Sequence, residues 1–171
     1  EQWKQHAPGL KSIHDARIIR HRLLTAFEKA ERINDPDERK KLLTFVIIGG
    51  GPTGVEMAGA ISELARNMIK REFKRVRVGD CQVVLVEAGP RILPVFPEAL
   101  AEYCASQLRK MGVDIRTNKR VTNITERSVE LQEDEICSSC VIWGAGVRAS
   151  KASQWLDVEP AEQGRVPVNR Y

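Results

Sequence analysis

Apolar positions along this chain recur with two periods, and the switches between them lay out its elements. From residue 12 to 33, Ala16, Ile19, Leu23, Ala26, Phe27, Ala30 and Ile33 fall three or four apart, one stripe of a helix. Ser12 stands where an N-cap belongs, and Asp15 where the acid of a capping box would reach back. Asn34-Asp35-Pro36 ends the helix, because proline cannot extend the ladder, and the charged run 36–41 reads as a solvated connector. Residues 1–42 are thus a lead-in helix and connector, and 43–171 a second unit.

Leu43–Ile48 is a short apolar run without alternation, which suits a parallel strand buried on both faces. A glycine-rich stretch follows. Met57, Ile61, Leu64, Ala65, Met68, Ile69, Phe73 and Val76 then mark a long helix. Gly79-Asp80 is a turn, and Gln82–Glu87 a second buried strand closed by Ala88-Gly89-Pro90. Pro97 opens a helix carrying Leu100, Tyr103, Cys104, Leu108 and Met111, with Gly112 as its C′ stop. Val113–Thr117 is a third strand. Short alternating pieces at 121–125, 128–131 and 135–137 predict an antiparallel meander. Val141–Trp143 is a further strand closed by Gly144-Ala145-Gly146, and a short helical piece lies near Lys151–Leu156. The fold class is α/β: a doubly wound, Rossmann-like parallel sheet with an inserted antiparallel β-meander.

Gly49-x-Gly51-x-x-Gly54 follows a strand and opens a helix, and the next strand ends in an acid; this is the context of a dinucleotide fingerprint. Gly49 lets the chain turn off the strand. Gly51 lets backbone approach a pyrophosphate, and Gly54 lets the helix pack closely. Pro52 suits the first helical position, and the helix start, with Thr53, offers free N–H groups to an anion. Glu87 at the strand end can accept the adenosine ribose hydroxyls and repel a 2′-phosphate, favouring NAD(H) over its phosphorylated form. It lies 33 residues after Gly54, where about 20 is usual, and the long helix accounts for the excess. Arg91 nearby could receive a 2′-phosphate. Glu56 reads from spacing as a dipole-favouring acid or as the acid of a Thr53–Glu56 capping box. Gly144 and Gly146 stand at a strand end, where backbone can come close to a cofactor or simply turn.

Composition narrows the class. The 171 residues are 42% hydrophobic and 29% charged, a globular balance, and no stretch approaches a membrane span. A net charge of +4 is too mild to argue for nucleic acid. Four cysteines are too few for a disulfide scaffold, so a reducing compartment is expected. Cys137-Ser138-Ser139-Cys140 is a single CxxC, a redox pair or a structural turn, with Cys104 on a core stripe. The six basic residues within 66–77 form a solvated face, or a contact for an anionic membrane or a protein. His6, His14 and His21 do not cluster, so no metal site is expected. The chain opens at Glu1 without a leader and stops at Tyr171 without a cap, and it reads as a piece of something longer.

The stretch Gly49-Gly50-Gly51-Pro52-Thr53-Gly54-Val55-Glu56-Met57-Ala58-Gly59 resembles the nicotinamide-site fingerprint of the type II, non-proton-pumping NADH dehydrogenases. Ala7–Ile13 with Arg20–Phe27, Val86–Pro94 and Trp143–Val147 are similar to further blocks of that family. Gly144 departs from the alanine usual there, which implies closer backbone approach. The resemblance implies the NAD(H) domain of a two-domain flavoprotein, inserted in an FAD domain whose motifs are missing here. NADH would reduce FAD, and FADH₂ a quinone. The full-length protein would sit peripherally on the inner face of the cell membrane, and a homodimer is compatible with it. The resemblance also implies that Glu56 lies by the nicotinamide and flavin, as a catalytic residue, and that Gly146 contacts the cofactor. The isolated piece would bind NADH without turning it over. The alternatives are a non-catalytic NAD(H)-sensing module and the NAD domain of another disulfide or ferredoxin reductase.

Overall fold

The computed structural model describes residues 3–146, 151–161 and 164–168. Four strands, β1 (Thr44–Ile48), β2 (Gln82–Val86), β3 (Val113–Arg116) and β7 (Cys140–Trp143), form a parallel sheet in the order β3-β2-β1-β7. Between β3 and β7 the chain makes β4 (Val121–Ile124), β5 (Ser128–Leu131) and β6 (Glu135–Cys137), an antiparallel three-stranded sheet. The helices are α1 (Ile13–Arg32), α2 (Pro36–Leu42), α3 (Pro52–Glu72), α4 (Glu98–Lys110) and the short α5 (Ala152–Trp155).

Side-chain alternation splits the apolar residues into two layers. Phe45 and Ile47 of β1, Val83 and Leu85 of β2 and Ile142 of β7 face α1, α3 and α4, where Phe27 stacks on Phe45 at 5.3 Å between ring centroids. Val46, Ile48, Val84, Val86 and Val141 face the meander, meeting Ile124, Val129, Leu131 and Ile136. The unalternated strands therefore bury both faces, one under helices and one under the second sheet. Helix α1 shares the first of these cores rather than standing apart from it.

Three local expectations change. Residues 36–42 are a helix, not a connector. Asp35 accepts hydrogen bonds from the Asp37 and Glu38 amides and Pro36 takes the first position, so the residues that stop α1 also start α2. Helix α3 ends at Glu72, although its apolar period runs on to Val76. Phe73 is extended, and the following strand-like turn hangs from the Glu31 carboxylate, which accepts from the Lys74, Arg75 and Val76 amides. On α4 the sheet-facing side is Ala101, Ala105 and Leu108, while Leu100 and Tyr103 are 57% and 65% exposed. Two alanines and Leu108 make the buried face there, so the largest apolar side chains do not mark it. The Ser12 cap on Asp15 and the left-handed Gly112 stop stand as the pattern predicts.

Candidate functional site

The carboxyl ends of β1, β2 and β7 each run into a glycine-bearing loop, and the three loops interlock. Gly49 sits at φ +107, and a Cβ there would stand 2.6 Å from the Ala145 backbone. Only glycine permits both the turn and the approach of the 144–146 loop. A Cβ on Gly54 would lie 1.8 Å from the Gly49 carbonyl oxygen. Gly54 is thus required by the bend itself, more than by the strand behind it. A Cβ on Gly144 would meet the Gly54 backbone at 3.2 Å. The close approach expected of Gly144 is therefore made onto α3.

Gly51 caps α3 and Pro52 takes its first position. A Cβ on Gly51 would find nothing within 4 Å, so the mouth of the bend faces open space. Among the described residues no acceptor meets the N–H groups of Gly51, Thr53 or Gly54; the first bond of the turn is Val55 N–H to the Gly51 carbonyl, at 3.0 Å. Three unmatched amides at the positive end of a 21-residue helix are an arrangement that can take an anion. The capping-box reading of Glu56 fails here, because the cap is Gly51 with no side-chain bond, and Glu56 lies one residue beyond the first turn. Its carboxylate is exposed and makes no hydrogen bond among the described residues.

Glu87 follows β2 directly. One carboxylate oxygen accepts the Gly50 N–H at 2.6 Å and the other the Gly89 N–H at 2.7 Å. An ionised carboxylate offers about four acceptor positions, so about two remain for hydroxyls. Its own backbone is fixed to the end of β3, with Glu87 N–H on the Arg116 carbonyl and Lys119 N–H on the Glu87 carbonyl. Gly146 is exposed at φ +73, and Val147 lies outside the described residues.

Several residues build this site in ways that their sequence blocks did not reveal. Trp143 donates its indole N–H to the Ala145 carbonyl at 2.6 Å, pinning the loop that abuts Gly49. Arg91 donates to the carbonyls of Leu93, Pro94 and Phe96. Leu93, at φ +50, sends its N–H to the Gly50 carbonyl at 2.7 Å. The blocks Val86–Pro94 and Trp143–Val147 contain them, and the recurrence of glycine at three strand ends points to where they meet. Two hollows lie elsewhere. One of about 640 Å³ runs along α4 and is lined by Arg91, Ile92 and Thr117. The other, of about 990 Å³, lies between α1, α2 and the meander. Neither is lined by the bend, whose mouth at Gly51 opens outward.

The CxxC is not a dithiol site in form. Cys137 is exposed and Cys140 buried, and burial pushes the Cys140 thiol up to about 12. Ser138 between them is a buried staple, donating to the Thr44 carbonyl at 2.6 Å and accepting the Cys140 N–H. Among the described residues no three His, Cys, Asp or Glu side chains converge as metal ligands, and no helix is long and apolar enough to cross a membrane.

A parallel sheet with a glycine bend at β1, a helix start left open above it and an acid at the end of β2 define a Rossmann-type nucleotide domain. Residues 6–171 match the family described as pyridine nucleotide-disulphide oxidoreductase, and the chain belongs to that family. It is 41% identical over 99% of its length to the type II NADH:quinone oxidoreductase Ndh of Mycobacterium tuberculosis (strain ATCC 25618 / H37Rv), and spans 37% of that protein. It is 35% identical over 98% of its length to the mitochondrial external alternative NADH-ubiquinone oxidoreductase of Yarrowia lipolytica, and spans 31% of it. The structure of NDH2 from Plasmodium falciparum in complex with NADH has a similar fold, with a TM-score of 0.83 at 24% identity over 90% of this chain and 33% of that one.

Proposed function

We propose that the chain is the NAD(H)-binding domain of an FAD-dependent NADH:quinone oxidoreductase. The observation that carries this is the set of unmatched amides of Gly51, Thr53 and Gly54 over open space, with the Glu87 carboxylate two hydrogen bonds deep in the adjoining loops. The amides hold the diphosphate. Glu87 takes the ribose hydroxyls and repels a 2′-phosphate by charge. Glu56 and Gly146 border the nicotinamide. Bound NADH supplies the hydride, and this chain supplies binding and orientation.

The flavin is held by a flanking domain outside these 171 residues, and the electrons pass to a quinone. Hydride transfer needs the reacting atoms about 3–3.5 Å apart, so the chain alone binds NADH without oxidising it. The whole protein sits peripherally on the inner face of the cell membrane. Cys140 is buried with its thiol held high, which speaks against Cys137 and Cys140 acting as a redox pair within this domain.

Calorimetry with NADH and NADPH tests the site. NADH is expected to bind at least about tenfold more tightly than NADPH, a difference of about 1.4 kcal/mol. Equal affinities would remove the role given to Glu87. Absence of binding by both would remove the site.

A further inference from the structure

Arg91 is the basic group nearest in sequence to the ribose acid, and the place where a 2′-phosphate receptor would be sought. Three of its five donors are already taken, on both terminal nitrogens. One terminal nitrogen donates to the Leu93 and Phe96 carbonyls, each at 3.1 Å, and the other to the Pro94 carbonyl at 2.9 Å. These three bonds wrap the 93–96 segment around the cation, and Phe96 N–H closes it onto the Leu93 carbonyl at 3.0 Å. Within the wrap, Leu93 is held at φ +50, a conformation costly for a side chain of its size, and is nonetheless buried. Such a residue persists only where its surroundings over-determine it.

The reason for holding Leu93 there lies across the cleft. Its N–H donates to the Gly50 carbonyl at 2.7 Å. The Gly50 carbonyl and the Gly51 N–H belong to one planar trans peptide and point in opposite directions. A bond that fixes the carbonyl therefore aims the Gly51 N–H, one of the three unmatched amides at the mouth. Gly50 and Gly51 have no side chains of their own to set that plane, so it depends on backbone bonds: Gly50 N–H on Glu87, Val55 N–H on the Gly51 carbonyl, and Leu93 N–H on the Gly50 carbonyl.

We infer that Arg91 is a positioning residue for the diphosphate rather than a receptor for a 2′-phosphate: through Leu93 it sets the Gly50–Gly51 peptide and so aims the Gly51 amide. The inference rests on the dinucleotide reading of the bend. It differs from that reading in what it predicts. A diphosphate role weakens NADH and NADPH by the same factor, whereas a receptor role weakens NADPH alone.

The test has two arms on the 171-residue chain, with Arg91→Lys and Arg91→Ala. Lysine keeps the charge but cannot span three carbonyls. In the ligand-free chain labelled with nitrogen-15, the Gly51 amide resonance is expected to move in R91K, while amides of β2 such as Val84 stay. An unmoved Gly51 resonance, or a shift spread evenly over the sheet, overturns the inference. By calorimetry, R91A is expected to lose roughly tenfold in affinity for NADH and for NADPH alike, the scale of one charged-group hydrogen-bond network. A selective loss of NADPH, or an unchanged NADH affinity, overturns it. If R91A does not fold, R91K carries the same comparison. If the wild-type chain binds neither nucleotide, the dinucleotide reading has failed, and the resonance arm still decides whether Arg91 aims the Gly51 amide.

Discussion

The cysteines show how little a residue's type says before its surroundings are known. Burial, helped by the Asp80 charge, pushes the Cys81 thiol up to about 12, and burial pushes Cys140 to about 12 against a smaller pull from Arg22. Cys137, one turn away, is exposed. Thiolate is the reactive form, so alkylation at pH 8 should modify Cys137 first and leave Cys81 and Cys140 untouched until the chain unfolds. The linkage has a sign. A thiol raised in the folded state keeps its proton while the unfolded chain loses it, so this stability is whole below about pH 9 and drains away as pH climbs towards 12. Melting temperature should therefore fall over pH 9 to 11, and less steeply in Cys81→Ala. A slope identical to wild type would refute it.

At the level of elements, the junction between α1 and the end of α3 is held by a single acid. Desolvation acts to raise the Glu31 carboxyl, but the amides of Val76, Lys74 and Arg75 and the Arg75 charge outweigh it and hold it below its ordinary range. Arg75 completes the joint by donating to the Glu31 carbonyl and to Asn34. A lowered carboxyl stabilises the fold at neutral pH, and that share is lost as pH falls through the usual carboxylate range. Glu31→Gln should melt below wild type at pH 7, with the gap closing as pH falls through and below the usual carboxylate range, as the native acid is protonated in its turn. A gap that is constant in pH would assign the effect to packing. This joint explains why a helix was expected to run to Val76: hydrophobic spacing reports burial, and half-buried Phe73 and buried Val76 are covered in an extended strap, not on a helical face.

Across the whole molecule, the segment before α1 behaves as part of the site's scaffold. Trp3 stacks on Trp143 at 5.7 Å and donates to Asn123 in the meander at 3.3 Å. Trp143 N–H reaches the Pro8 carbonyl, and Gly9 bridges to Trp143. Residues 3–9 thus tie the free edge of β7 to the second sheet and brace the 144–146 loop against Gly49. Trp3→Ala should cost about 2 kcal/mol of stability by denaturant titration, the scale of a part-buried indole with a ring partner. It should also change the near-ultraviolet circular dichroism of the tryptophans. An unchanged midpoint would detach the segment from the scaffold.

Much of this was readable in the chain as written. Unalternated runs at 43–48 and 82–87 suit strands covered on both sides, as β1 and β2 are, and glycine spacing after the first of them marked the bend. Local chemistry suffices for such features because sterics at Gly49 and the helix start at Pro52 act within a few residues. What covered the second face of the sheet, which side of α4 was buried, and why Arg91 and Leu93 matter to a bend some 40 residues earlier depended on long-range pairing. Those contacts exist only once β1, β2 and β7 lie side by side and their loops meet. Sequence determined where the chain turns and what each strand buries; tertiary structure alone decided which carbonyl each loop amide finds, because hydrogen bonds between distant backbones leave no pattern in residue type.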